Sequence, residues 1–175
     1  MSKDMRKMID SVKNFKQRVN EAHNSIIAYH GTYADIKFFS IEGSKKHGGF
    51  DSDLGIHFGS KAAAIDRLKE NAGDEDFING NISNGAKIIK VDTGIKSPLI
   101  LLNDIGDWSD LSKLKNILSI DNNSVNTIGD VRKYIISNGY DGIQYPNNYE
   151  GIKGELSYIA LNPNNIKILD IEKIK

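Results

Sequence analysis

The sequence predicts a single soluble domain with an α+β fold, and three observations lead to that prediction. Short β-rich apolar runs recur along the chain, and helical stretches interrupt them without a repeating strand–helix–strand order, which favours α+β over a doubly wound α/β fold. A length of 175 residues suits one domain with its own core. Hydrophobic residues make up 39% and charged residues 26% of the chain, which is typical of soluble globular proteins. The predicted strands lie at 26–30, 56–58, 86–91, 98–102, 142–145, 156–161 and 166–171.

The first segment, residues 1–24, is predicted to form an amphipathic helix. Apolar side chains repeat there with a helical period, and charged residues occupy the opposite face. We expect this helix to pack on the body of the protein, residues 25–175, because most amphipathic helices cover their own core. Contact with a partner is the alternative.

The middle of the chain is predicted to hold a glycine-rich loop followed by a helix. Residues 43–55 are rich in glycine and polar groups, and they form either an active-site lid or a mobile surface loop. Ser60 is predicted to cap a helix over 61–71, because a serine hydroxyl accepts a hydrogen bond from a free backbone N–H of the first turn. The polar stretch 73–85 is predicted to be irregular.

Two further helices are predicted in the second half of the chain, at roughly 108–118 and 124–138. The second ends at Asn138-Gly139, since glycine commonly follows a helix C-terminus. Tyr140-Asp141-Gly142 is then interpreted as a turn that enters the next strand.

Composition excludes several classes of protein. Lys and Arg number 23, as do Asp and Glu, so the chain lacks the basic excess of a dedicated nucleic-acid binder. It has no cysteine, which excludes disulfides, thiolate metal sites and a cysteine nucleophile and agrees with a reducing compartment. Neither a signal-peptide core nor a run of about 18 apolar residues is present. We therefore expect a cytoplasmic protein that does not enter a membrane.

Three motifs carry most of the chemical information. The first is Tyr29-His30-Gly31-Thr32 at the end of a predicted strand, and the second is Gly55-Ile56-His57-Phe58-Gly59-Ser60. The third is Gly154-Glu155-Leu156-Ser157-Tyr158-Ile159. Each alone also fits an ordinary role: a histidine that donates a structural hydrogen bond, a buried strand, and a solvated surface charge.

Taken in order, these motifs resemble the diphtheria-toxin/PARP-like branch of the ADP-ribosyltransferases. That branch carries a strand-end His-Gly-Thr/Ser, a Gly-Ile-Tyr-Phe and a late glutamate. The layout is most similar to compact versions in phage and mobile-element proteins, and the resemblance covers roughly residues 26–170. Further matches to those versions are Gly49-Phe50-Asp51, Asn138-Gly139-Tyr140-Asp141-Gly142-Ile143 and Pro163-Asn164-Asn165-Ile166-Lys167.

The resemblance implies a split β-sheet core and an enzyme that breaks the nicotinamide–ribose bond of NAD⁺. The ribose must pass through an oxocarbenium-like state, as in glycoside hydrolysis. A carboxylate placed where this positive charge develops stabilises it, and the resemblance assigns that role to Glu155, which would also hold the 2′-hydroxyl of the nicotinamide ribose. Neither a metal nor a covalent nucleophile is required.

The resemblance also assigns the residues that bind NAD⁺. His30 and Thr32 would contact the adenosine ribose. Gly31 would hold the nicotinamide carboxamide through its backbone, since a glycine lets a ligand approach closely. Phe58 or His57 would offer a flat face to the nicotinamide, and Ser60 would reach its amide.

The chain departs from the family pattern at His57, which stands where the family has a stacking tyrosine. An imidazole can stack, but a protonated ring against the cationic nicotinamide would be unfavourable, so stacking predicts a neutral His57. The second stacking tyrosine of poly-ADP-ribosylating relatives has no counterpart, because Leu68 occupies that neighbourhood. This departure favours transfer of a single ADP-ribose.

The expected activity is therefore mono-ADP-ribosyl transfer to a host macromolecule in a bacterial cytoplasm. We expect the acceptor to be a protein, although a nucleic-acid acceptor stays open, and we expect the enzyme to be monomeric. Two alternatives remain: NAD⁺ glycohydrolysis, in which water is the acceptor, and a catalytically silent module that binds NAD⁺ or ADP-ribose.

Overall fold

The computed structural model describes residues 25–43, 53–121 and 123–174. Within these residues the chain forms helices and two separate β-sheets, so the predicted α+β class is confirmed. The predicted N-terminal helix, residues 1–24, lies outside the described residues, as does most of the glycine-rich loop. The strands are β1 (Ile27–Thr32), β2 (Ile56–Phe58), β3 (Lys87–Asp92), β4 (Pro98–Ile100), β5 (Gly142–Pro146), β6 (Leu156–Ala160) and β7 (Lys167–Lys173). The helices are α1 (Lys61–Glu70), α2 (Asp74–Ile78), α3 (Leu111–Ile117) and α4 (Ile128–Ser137), and a 3₁₀ turn spans Pro163–Asn165.

The two sheets have different strand patterns. The first has the order β1-β3-β7 and is antiparallel throughout. The second has the order β2-β6-β5-β4, in which β4 and β5 are parallel and the other pairs are antiparallel. The sheets meet where Tyr29 of β1 and Gly59, which follows β2, exchange two backbone hydrogen bonds of 2.9 and 3.0 Å. This junction brings the first two sequence motifs together.

Apolar residues of the second sheet form a core with α3 and α4. Ile143 of β5 and Ile159 of β6 lie on one side of it, and Leu114 of α3 and Val131 of α4 lie on the other. All four side chains are fully buried. Burial of a side chain of this size stabilises a fold by about 1.5–3 kcal/mol, so this core fixes the second sheet and the loops at its ends.

Helix α1 packs directly on β1. Ser60 caps the helix by accepting a hydrogen bond from the backbone N–H of Ala63, as the sequence predicts. Leu68 is fully buried against this part of the first sheet. A β-carbon at Gly31 would collide with the carbonyl oxygen of Ala64 and lie 2.9 Å from Leu68 Cγ. Glycine at position 31 therefore lets the helix approach the strand closely.

The structure corrects the predicted helix boundaries and adds one helix. Helix α2, Asp74–Ile78, lies in a stretch predicted to be irregular. It buries no side chain, so its sequence lacks the periodic apolar residues by which a helix is predicted. Three acidic residues in its first turn complement the helix dipole. Helix α4 begins at Ile128 rather than near 124, because Thr127 is its N-cap. Helix α3 begins at Leu111 rather than near 108, because Asp110 caps it.

No helix among the described residues is both long enough and apolar enough to span a membrane.

Candidate functional site

A cavity of about 850 Å³ lies where β1, β2 and α1 meet the loops at the end of the second sheet. This volume falls within the range of ligand-binding pockets. His30, Gly31 and Thr32 line it from the first motif, and His57 and Phe58 line it from the second. Residues that lie far apart in the sequence thus line the same cavity.

His30 lies in an aromatic wall of this cavity. Its ring meets Phe39 at a centroid distance of 5.4 Å and Phe58 at 5.8 Å, both edge to face. The two phenyl rings meet each other at 5.2 Å. These edge-to-face contacts are the arrangement that aromatic quadrupoles prefer, and they fix the orientation of the imidazole.

The protonation state of His30 follows from its surroundings. Its Nδ1 lies 3.0 Å from the carbonyl oxygen of His57. A carbonyl only accepts, so Nδ1 carries the proton. Burial lowers the pKa of His30, the hydrogen bond to His57 opposes this shift, and the charge of Arg67 lowers the pKa further. The neutral imidazole is therefore favoured, with its Nε2 as an acceptor.

His57 occupies the middle of β2, opposite Ile159 of β6. Its ring meets Trp108 edge to face at 5.9 Å, and Trp108 in turn contacts Tyr145 at 4.6 Å. Trp108 and Tyr145 also line the cavity, and sequence reasoning missed both. The expected stacking of nicotinamide on His57 or Phe58 stays a prediction.

The two hydroxyl groups predicted to contact the ligand are hydrogen-bonded within the chain. Thr32 lines the cavity, and its Oγ1 accepts from the backbone N–H of Ala34 at 3.0 Å. Ser60 is not among the lining residues, and its Oγ accepts from Ala63 as the cap of α1. The position of Ser60 therefore favours a structural role over the predicted contact with the nicotinamide amide.

Gly31 also has a packing role that the sequence did not predict. Its backbone lines the cavity, while the position of its missing β-carbon is occupied by α1. The requirement for glycine is therefore explained by helix packing. Its predicted contact with the nicotinamide carboxamide stays a prediction.

Glu155 lies at the end of the loop between β5 and β6. It immediately precedes β6 and is not among the residues that line the cavity. Its backbone carbonyl accepts from the N–H of Asn147 at 2.7 Å, which closes the loop between β5 and β6. One of its carboxylate oxygens is buried without a hydrogen-bond partner among the described residues. The catalytic role of Glu155 therefore stays a prediction.

A different carboxylate lines the cavity, that of Glu150 in the same loop. Its Oε1 lies 2.6 Å from Nη2 of Arg67 in α1, and its side chain is only 18% exposed. Burial raises the pKa of Glu150 and the Arg67 charge opposes the shift. Sequence reasoning missed this pair, because residues so far apart in the chain give no joint signal.

Three polar residues, Tyr145, Asn147 and Ser157, form the buried floor beside Glu150. Asn147 donates from Nδ2 to the Ser157 hydroxyl oxygen at 3.1 Å. Burial raises the pKa of Tyr145, so its phenol stays protonated and can donate. The floor is thus a connected set of hydrogen-bonding groups.

Among the described residues, no group of three or more His, Asp or Glu side chains is arranged to hold a metal ion.

Comparisons with known proteins give little further information. No family model matches the chain, and no curated protein sequence matches it. A solved structure that resembles it is the Mycobacterium tuberculosis MbcT–MbcA toxin–antitoxin complex, at 13% identity and a TM-score of 0.45. The match covers 85% of this chain and 83% of that chain.

Proposed function

We propose that the chain binds NAD⁺ in this cavity, cleaves the nicotinamide–ribose bond and transfers one ADP-ribose to an acceptor, which we take to be a host macromolecule. The observation that carries the proposal is the meeting of the first two motifs. His30 and His57 lie 27 positions apart in the sequence and are joined by a hydrogen bond at the wall of one cavity.

The chemical character of the cavity supports a dinucleotide ligand. The cavity has an aromatic lining that includes Phe39, Phe58 and Trp108, which is typical of sites for flat organic ligands. The neutral His30 offers an Nε2 acceptor, which suits a ribose hydroxyl donor.

The proposed reaction needs few catalytic groups. The bond between ribose C1′ and the nicotinamide nitrogen breaks, and its electron pair leaves with nicotinamide, which becomes neutral. A carboxylate faces the developing positive charge of the ribose. An O–H or N–H group of the acceptor then attacks C1′ and its proton passes to a base or to solvent. We propose that the reaction proceeds without metal, so a chelator should leave the rate unchanged.

The proposal is tested by incubating the purified protein with NAD⁺ and measuring nicotinamide release. A parallel incubation with labelled NAD⁺ and bacterial lysate measures transfer to macromolecules. His30→Asn is the informative variant, because its amide nitrogen can still donate to the His57 carbonyl while the Nε2 acceptor is lost. We expect this variant to fold, as checked by a melting curve, and to bind NAD⁺ more weakly.

The outcomes separate the alternative functions. Labelled macromolecules support ADP-ribosyl transfer, whereas free ADP-ribose as the main product supports NAD⁺ glycohydrolysis. Binding of NAD⁺ without release of nicotinamide supports a silent binding module. A wild-type protein that neither binds nor cleaves NAD⁺ contradicts the proposal.

A further inference from the structure

We propose that Glu150, rather than Glu155, is the carboxylate that faces the ribosyl cation, and that Arg67 is its positioning residue. This inference rests on the proposed cleavage of NAD⁺. It names a catalytic group in the loop between β5 and β6, five positions before the one that the sequence indicates.

The location of Glu150 is the first support. Glu150 lines the same cavity as His30, whereas Glu155 does not. Its Oε1 is held at 2.6 Å by Nη2 of Arg67, and Arg67 also acts electrostatically on His30. The carboxylate and the imidazole therefore belong to one charged neighbourhood, as a site that binds a single substrate requires.

The loop that carries Glu150 is fixed on both sides. The Oδ1 of Asn147 accepts from the backbone N–H groups of Tyr149 and Glu150 at 2.9 and 3.0 Å. On the other side, the N–H of Gly151 donates to Oδ2 of Asp66 in α1 at 2.9 Å. A carboxylate held by its neighbours needs little reorganisation during the reaction, which is the condition for electrostatic stabilisation of a transition state.

The arrangement around Gly151 shows that this docking is close. Gly151 has a φ of +72°, and a β-carbon there would lie 2.8 Å from the backbone nitrogen of Ala63 and 3.1 Å from Ser60 Oγ. Both the left-handed conformation and the contact with the start of α1 require glycine. The Glu150 loop is therefore seated on the helix that carries Arg67.

The other carboxylates of the cavity fit the role less well. The Asp35 side chain is 91% exposed and that of Glu70 is 49% exposed. Asp104 uses its two oxygens to accept from the backbone N–H groups of Gly106 and Asn148. Glu150, whose side chain is 18% exposed, is more buried than Asp35 and Glu70, and a charge acts more strongly on a nearby cation where water is displaced.

The electrostatic environment also suits a group that receives a proton. Burial raises the pKa of Glu150, the nearby Glu70 carboxylate adds to that shift, and Arg67 opposes it. In the proposed step the C1′–nitrogen bond breaks with its electron pair leaving on nicotinamide. The acceptor group attacks C1′ through oxygen or nitrogen, and its proton passes to the Glu150 carboxylate, as in general base catalysis.

The test compares two matched variants, Glu150→Gln and Glu155→Gln. Nicotinamide release is measured at saturating NAD⁺. Binding is followed by the fluorescence of Trp108, which is the single tryptophan of the chain and lines the cavity. We expect Glu150→Gln to bind NAD⁺ and to lose roughly 10²–10³-fold in kcat, a loss about tenfold or more greater than that of Glu155→Gln.

The role of Arg67 has its own readout, the pH dependence of kcat. Because the Arg67 charge lowers the pKa of Glu150, Arg67→Gln should move the acid limb of the profile to higher pH. Arg67→Lys should restore it towards the wild-type position. A loss of activity without this movement would contradict the positioning role.

The outcomes distinguish this inference from the function on which it rests. If the wild type neither binds nor cleaves NAD⁺, the proposed function fails. If Glu155→Gln is inactive and Glu150→Gln retains activity, the inference is overturned while the function stands. If the melting curve shows that Glu150→Gln does not fold, Glu150→Asp is used in its place. Its retained charge should restore folding, and its shorter side chain should lower kcat by at least tenfold. Wild-type activity in that variant would contradict the inference.

Discussion

Replacement of Gly31 by alanine tests the packing of α1 on β1. The added β-carbon would collide with the carbonyl oxygen of Ala64 and lie 2.9 Å from Leu68 Cγ, whereas non-bonded carbons prefer roughly 3.5–4.0 Å. Because the first obstacle is backbone, no side-chain rotation relieves it and the helix must move away from the strand. Such overpacking costs about 1–3 kcal/mol, which for a chain of this size corresponds to a fall in Tm of roughly 2–12 °C.

Gly129→Ala is the matched control for this experiment. Gly129 lies in the first turn of α4, and a β-carbon there would find its nearest neighbour at 3.7 Å, an ordinary contact. Alanine favours a helix over glycine by about 0.5–1 kcal/mol, so this variant should be slightly more stable than the wild type. Both free energies of unfolding are measured by urea denaturation at one pH. If Gly31→Ala is as stable as Gly129→Ala, the close packing of α1 on β1 is wrong.

Three further predictions concern stability. Leu114→Ala should lower the free energy of unfolding, measured by urea denaturation, by about 2–5 kcal/mol, because the side chain is fully buried. Ile117→Ala on the same helix, where the side chain is 44% exposed, should lower it clearly less. Equal losses would contradict the described core. Thr127→Ala should cost about 1 kcal/mol by the same assay, because it removes the hydroxyl that caps α4, and an unchanged stability would argue against that cap. The pKa of His30 is lower in the folded protein than in the unfolded chain, so below about pH 6.5 the unfolded chain binds more protons and the stability of the wild type falls. The difference in stability between the wild type and His30→Asn should therefore shrink from pH 7.5 to pH 5.5. A constant difference would contradict the neutral imidazole.

The strands were predictable because they carry a local signal. β2 and β6 follow the predicted 56–58 and 156–161 closely. Buried apolar residues give both strands a local signal: Ile56 and Phe58 in β2, Ile159 and Ala160 in β6. Helix α2 was not predicted, because it lies on the surface and buries no side chain. Apolar periodicity predicts the helices and strands that pack on a core, and it does not predict those that lie on the surface.

The candidate site was only partly predictable, for a related reason. His30 and His57 stand in recognisable motifs, and both line the cavity. The burial of Glu150 depends instead on its loop reaching α1, where Gly151 bonds to Asp66 across 85 positions of sequence. The place of the Glu150 carboxylate in the cavity is therefore defined by tertiary contacts and not by a sequence motif.

The junction between the two sheets bears on how a ligand enters. Tyr29 and Gly59 exchange two backbone hydrogen bonds, and His30 adds a third across the same seam. Separating the two sheets would break these three hydrogen bonds, which lie beside the aromatic wall of the cavity. We therefore expect the two walls to keep their spacing when a ligand enters from the solvent side. A substrate analogue too wide for that spacing should be rejected at the entrance rather than accommodated by a hinge.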